Sequence, residues 1–159
     1  MFDTVMDAVL AALAAAGIDA ARELDMTPGC AVSTPFVCAG VKGGSLKSSG
    51  CGEYLGVSDA NGAQTEIYGY RAELELGFSV FAPTAQESAA CWDKVCQALG
   101  GCPAGLKMRA FICGEAEYDD VSDSVRRDCR AQCFAYLIRE TAGEEGEFTD
   151  FVLRGAVKV

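Results

Sequence analysis

The chain has 159 residues, half of them hydrophobic and 23% charged, which suits one soluble domain over residues 1–159 that buries a core without disulfides or metals. A net charge of −10 disfavours nonspecific attraction to nucleic acid or to an anionic membrane. The apolar run Val9 to Ala16 is too short to span a bilayer, and Asp3 and Asp7 stand where a secretory leader would be positive, so a soluble intracellular protein is expected.

The first predicted helix runs from Asp3 to Ala16, with Val5, Met6, Val9, Leu10 and Leu13 as its buried stripe and Gly17 placed to end it in a left-handed turn. Gly17 to Thr34 reads as a connection, and Pro35 to Val41 as a short strand. From Gly43 to Gly62 the chain is rich in Gly and Ser and lacks periodicity; a loop of that length in a compact domain is often functional. The patch Gly40-Val41-Lys42-Gly43-Gly44-Ser45 invites a phosphate-loop reading, but it lacks the required G-x-x-x-x-G-K-[ST] order, and a flexible loop is the simpler expectation.

Gln64 to Ala82 is a long strand with a bend or bulge expected at Gly69. Ala72, Leu74, Leu76, Phe78 and Val80 alternate with Arg71, Glu73, Glu75, Gly77 and Ser79, which gives one apolar face. Pro83 stops the ladder, and Thr84-Ala85-Gln86-Glu87 reads as a capping box. The helix it opens carries Ser88, Trp92, Val95, Cys96 and Leu99 on one side and ends at Gly100-Gly101. Leu106 to Cys113 alternates Lys107, Arg109 and Phe111 against Met108, Ala110 and Ile112. An acidic turn, Glu115 to Asp123, leads to a long strand over Val125 to Arg139. A second acidic turn follows, and Phe148 to Val159 closes the chain with Phe151, Leu153 and Val157 on one face.

Each element has one apolar side, so the expected fold is α+β, a mostly antiparallel sheet with two helices packed on one face. The other side of the Val125 to Arg139 strand carries Arg126, Asp128, Arg130, Gln132, Phe134, Tyr136 and Ile138. Arginine beside aromatic residues is the composition of an interface core, so Arg126, Arg130, Phe134 and Tyr136 are candidate contacts for homo-oligomerisation. The competing readings are ordinary surface arginines, and aromatics that pack under the first helix.

Nine cysteines without a C-x-x-C pair read as reduced thiols rather than a disulfide scaffold or zinc site. Cys96, Cys129 and Cys133 fit core slots, whereas Cys30, Cys51 and Cys102 lie in Gly- or Pro-rich segments and are candidates for reactivity. The chain has no histidine, which removes the commonest general base and metal ligand. The paired acids Glu115/Glu117 and Asp119/Asp120 read as solvated turn residues. No catalytic, cofactor-binding or metal residue is assigned, and no cofactor is expected.

The strand GYRAELELGFSVFAP with its Cys- and Trp-bearing helix, the segment LKMRAFICGEAEYDDVSDSVRRDCRAQCFAYL and the closing FTDFVLRG resemble small prophage proteins encoded among tail genes. In layout the chain resembles the tail terminator, or tail-completion, proteins of long-tailed phages. That resemblance implies a homo-oligomeric ring, commonly a hexamer, on the last ring of the tail tube. Such a ring ends tube polymerisation and meets a head-tail joining protein, so the chain would be found in the host cytoplasm during assembly and then in the virion tail. The segment Lys42 to Tyr54, with Lys42, Lys47 and Tyr54, becomes the candidate loop for docking to the tube or a neighbouring ring. The alternatives are another neck or tail tube protein or, in a different class, a cytoplasmic thiol-dependent enzyme on a ferredoxin-like sheet.

Overall fold

The computed structural model describes residues 2–23, 33–49, 53–60, 63–101, 103–140 and 152–154. Helix α1 spans Phe2–Ala15 and buries Val5, Met6, Val9 and Leu13. Gly17 then takes a φ of 69°, which an L side chain rarely adopts, and its N–H and that of Ala16 satisfy carbonyls of the last turn. Strand β1 (Asp19–Arg22) follows and pairs in parallel with β2 (Phe36–Ser48). Strands β3 (Tyr54–Ala60) and β4 (Ala63–Ala82) form a hairpin. Helix α2 (Ala85–Gly100) begins as its capping box predicts, with the Glu87 N–H donating to the Thr84 hydroxyl at 3.2 Å and that hydroxyl donating to the Glu87 carboxylate at 2.9 Å. A 3-10 turn, Pro103–Gly105, leads to β5 (Lys107–Ile112), β6 (Ala116–Asp119), β7 (Ser124–Glu140) and β8 (Val152–Arg154).

The fold is α+β. Among the described residues, eight strands make one sheet, ordered β1-β2-β4-β7-β5, in which β4 and β7 pair antiparallel from Ile67↔Glu140 to Ala82↔Val125. Strands β2 and β3 run in the same direction along one side of β4 and behave as a single broken strand. On the other side of β7, β6, β5 and β8 each occupy a short stretch. Val37, Ala39, Leu74, Leu76, Phe78, Val80, Cys129, Ala131, Cys133 and Ala135 point to one face and are buried there against the stripes of α1 and α2. Trp92 of α2 fills the centre of that layer, 5.6 Å from the Phe78 ring and 6.2 Å from the Phe111 ring. Among the described residues, no helix is long and apolar enough to cross a membrane.

The structure corrects several expectations. The segment read as a loop from Gly43 is strand: β2 continues to Ser48 and β3 covers Tyr54–Ala60, because β4 offers a continuous ladder to both. Gly40 to Ser45, expected as a flexible loop, is therefore extended chain that runs on as strand to Ser48. The β4–β7 register passes through Gly69 without a bulge; the glycine instead allows close approach, since a Cβ there would lie 2.0 Å from the Leu137 carbonyl oxygen. In β5, a bulge between Met108 and Ala110 breaks the expected alternation, so Met108 and Phe111 face the helices and Ala110 and Ile112 the other side. Of the acidic turn from Glu115, Ala116–Asp119 is a strand paired with β7. Cys30, Cys51, Cys102, the second acidic turn beyond Glu140, Phe151 and Val157 lie outside the described residues.

Candidate functional site

Alternation along β2, β4 and β7 places the second set of side chains on the face away from the helices, where, among the described residues, no helix covers them. The register gives rows across this open face: Phe81 beside Arg126, Ser79 beside Asp128, Gly77 beside Arg130, Glu75 beside Gln132, Glu73 beside Phe134 and Arg71 beside Tyr136. Strand β2 adds Ser45 next to Glu73 and Lys47 next to Arg71. Phe134 and Tyr136 therefore sit opposite the helix layer, which corrects the reading that packs them under α1.

The charges are interlocked. Arg126 donates to Asp128 at 3.0 Å, and the Ser79 hydroxyl donates to the same carboxylate oxygen at 2.6 Å. Arg130 pairs with Glu75 at 3.1 Å. Lys47 and Arg71 both reach Glu73. The Arg71 guanidinium lies 5.3 Å over the Phe134 ring, which meets Tyr136 edge-on at 6.0 Å, and the Arg71 Nε is buried without a hydrogen-bond acceptor. At the other end Arg126 lies 5.9 Å over the Phe81 ring. Lys47, then Arg71, hold the Glu73 carboxyl down at about 2. Burial opposes ionisation of Asp128, but the Ser79 hydroxyl and Arg126 outweigh it and keep that carboxyl below its ordinary value.

Lys42 belongs to the same face. It sits in the β2 bulge, its stem crosses the space that a Gly77 Cβ would fill, and its ammonium pairs with Glu23. A shallow hollow of about 490 Å³ is lined by Lys42, Glu75, Ser79, Arg126, Asp128 and Arg130. A neighbouring one of about 420 Å³ is lined in part by Glu73, Glu75, Arg109, Gln132 and Phe134. The fold thus brings Arg126, Arg130, Phe134, Tyr136, Lys42 and Lys47 onto one surface. Tyr54 is left off it: it opens β3 and packs edge-on against Tyr68 at 5.7 Å, in the alternate row of β4. Lys42 and Lys47 are strand residues rather than loop residues.

Residues of β4 complete the surface, namely Arg71, Glu73, Glu75 and Ser79, and their signal is the same alternation that makes them the polar side of that strand. Arg127 departs from Arg126 and Arg130, the neighbouring arginines of β7. It turns to the helix side, where it donates to the Ser88 hydroxyl at 3.3 Å and to the Gly114 carbonyl at 2.7 Å. Among the described residues, no cluster of three or more Cys, Asp or Glu side chains is placed to hold a metal ion. Neither a scan of protein-family models nor a search of curated proteins finds a match to this chain.

Proposed function

We propose that this chain is a structural assembly protein whose subunits join through the open face of the sheet. The observation that carries the reading is the set of aromatic residues, Phe81, Phe134 and Tyr136, interleaved with interlocked Arg–carboxylate pairs on a face without a helix among the described residues. Arginine and aromatic residues are the types that most often anchor protein interfaces. A second support is the outer edge of β2: among the described residues, β1 pairs only with Phe36 to Ala39, so Gly40 to Ser48 present unpaired backbone groups.

The assembly is the one that the sequence resembles, a tail terminator ring, by that resemblance a hexamer, which caps the tail tube and meets a head-tail joining protein. Its place is the host cytoplasm during assembly and then the virion tail. Each subunit contributes a net charge of −10, so a lumen lined by acids would repel passing DNA from the wall. A closed ring needs a heterologous contact whose rotation closes; the same contact without closure would give filaments.

The test is charge reversal of Arg126 and Arg130 together, and Phe134→Ala separately, each followed by sedimentation velocity and thermal melting. Both arginines are exposed and their ion pairs are worth about 0–1 kcal/mol each, so the monomer stays folded. An interface anchor is worth about 2 kcal/mol or more, so each variant should weaken assembly by roughly 30-fold or more. Assembly that survives both variants unchanged would remove this face from the interface.

A further inference from the structure

We infer that Cys113 and Cys129 form a peroxide-oxidisable dithiol that links the end of β5 to β7, a modification site independent of the assembly reading. The register brings them together. Ile112↔Arg130 is the last pair of β5 with β7, and just beyond it a Cβ on Gly114 would lie 1.9 Å from the Asp128 carbonyl oxygen. Cys113, between those two points, therefore stands opposite Cys129. Residues opposite one another in an antiparallel pair have Cα atoms about 4.5–5.5 Å apart, within the span of about 4.4–6.8 Å that a disulfide bridges. The two thiols already interact with each other.

Their environments assign the roles. Cys113 is exposed, whereas Cys129 is buried on the helix side of the sheet. Burial pushes the Cys129 thiol up to about 12, so Cys113 is the sulfur that meets the oxidant first. Arg127 donates to the Cys113 sulfur at 3.6 Å while anchored on the Gly114 carbonyl and the Ser88 hydroxyl, which fixes a positive charge at that sulfur. An accessible thiol beside a cation and a second thiol is the arrangement of redox-sensitive cysteines. Cys96 of α2 also lies close enough to influence Cys113, but it belongs to the helix layer and shares no ladder with it.

The chemistry balances with hydrogen peroxide as the oxidant. The Cys113 sulfur attacks one peroxide oxygen, the O–O bond breaks, and a sulfenic acid and one water result. The Cys129 sulfur then attacks the sulfenic sulfur, the S–O bond breaks and the S–S bond forms, with the Cys129 proton leaving in a second water.

The test uses the full reduced chain, treated with hydrogen peroxide, blocked with an alkylating agent and digested with trypsin. Cleavage after Arg109, Arg126, Arg127 and Arg130 puts Cys113 on the peptide Ala110–Arg126 and Cys129 on Asp128–Arg130. The expected product is these two peptides joined, two hydrogens lighter than their sum. In Cys129→Ala, Cys113 should instead accumulate as a sulfenic acid that a dimedone probe captures. Cys113 joined to the Cys96 peptide, or oxidised in the parent chain without a link to Cys129, would overturn the inference, and neither result depends on a variant that folds.

Discussion

Two glycines on the open-face side of β4 make opposite predictions for the same substitution. Glycine in a strand interior costs about 0.5–1 kcal/mol relative to alanine, so local propensity alone would make both Gly69→Ala and Gly77→Ala stabilising. At Gly77 the new Cβ would meet the Lys42 stem, at 2.4 Å from its Cε and 2.7 Å from its Cγ. That side chain is exposed and can swing aside for the loss of its ion pair with Glu23, worth about 0–1 kcal/mol, so Gly77→Ala should lie between about 1 kcal/mol more stable and about 0.5 kcal/mol less stable than the parent. At Gly69 the Cβ would lie 2.0 Å from the Leu137 carbonyl oxygen and 2.9 Å from the Leu55 Cδ1. The carbonyl belongs to the β4–β7 ladder and cannot move without parting the strands. Overpacking costs about 1–3 kcal/mol, and a 2.0 Å approach to fixed backbone belongs at its upper end, about 2–3 kcal/mol; subtracting the propensity gain of about 0.5–1 kcal/mol leaves Gly69→Ala about 1–2.5 kcal/mol less stable. Urea denaturation of the two variants beside the parent measures the difference as a shift in midpoint at constant slope. A Gly69→Ala protein as stable as Gly77→Ala would refute the close approach of β4 and β7 at that point.

Phe78 is 2% exposed and packs on Trp92, so Phe78→Ala should cost about 3–5 kcal/mol and lower the calorimetric melting temperature sharply; a loss under 1 kcal/mol would contradict this core. Glu73 titrates at about 2 in the folded chain against an ordinary 4.5, so its contribution to stability is present above pH 4.5 and is lost as pH falls through 2. Glu73→Gln should therefore flatten the dependence of stability on pH across that window. An unchanged acid limb would mean that the Lys47–Glu73–Arg71 network does not persist in solution.

The central strands and both helices are legible in the sequence because each buries one face. The alternation from Arg71 to Val80 and the stripe from Ser88 to Leu99 carry the fold class and the location of the open face. The second half of β2 hides for the opposite reason. From Lys42 to Ser48 every residue is exposed, so neither face leaves an apolar signature, and the strand forms because β4 provides its hydrogen-bond partners. Strand β1 has only four residues and takes its conformation from β2. The bulge at Arg109 reverses the later half of β5, a one-residue event that alternation cannot foresee. The meeting of Cys113 with Cys129 depends on that same register, which explains why spacing along the chain gives no hint of it.

Self-assembly is the property to measure, by light scattering with negative-stain imaging over a wide concentration range. Closed rings of fixed stoichiometry are expected, of six chains by the resemblance to tail terminators. A strict monomer at every concentration would contradict self-assembly.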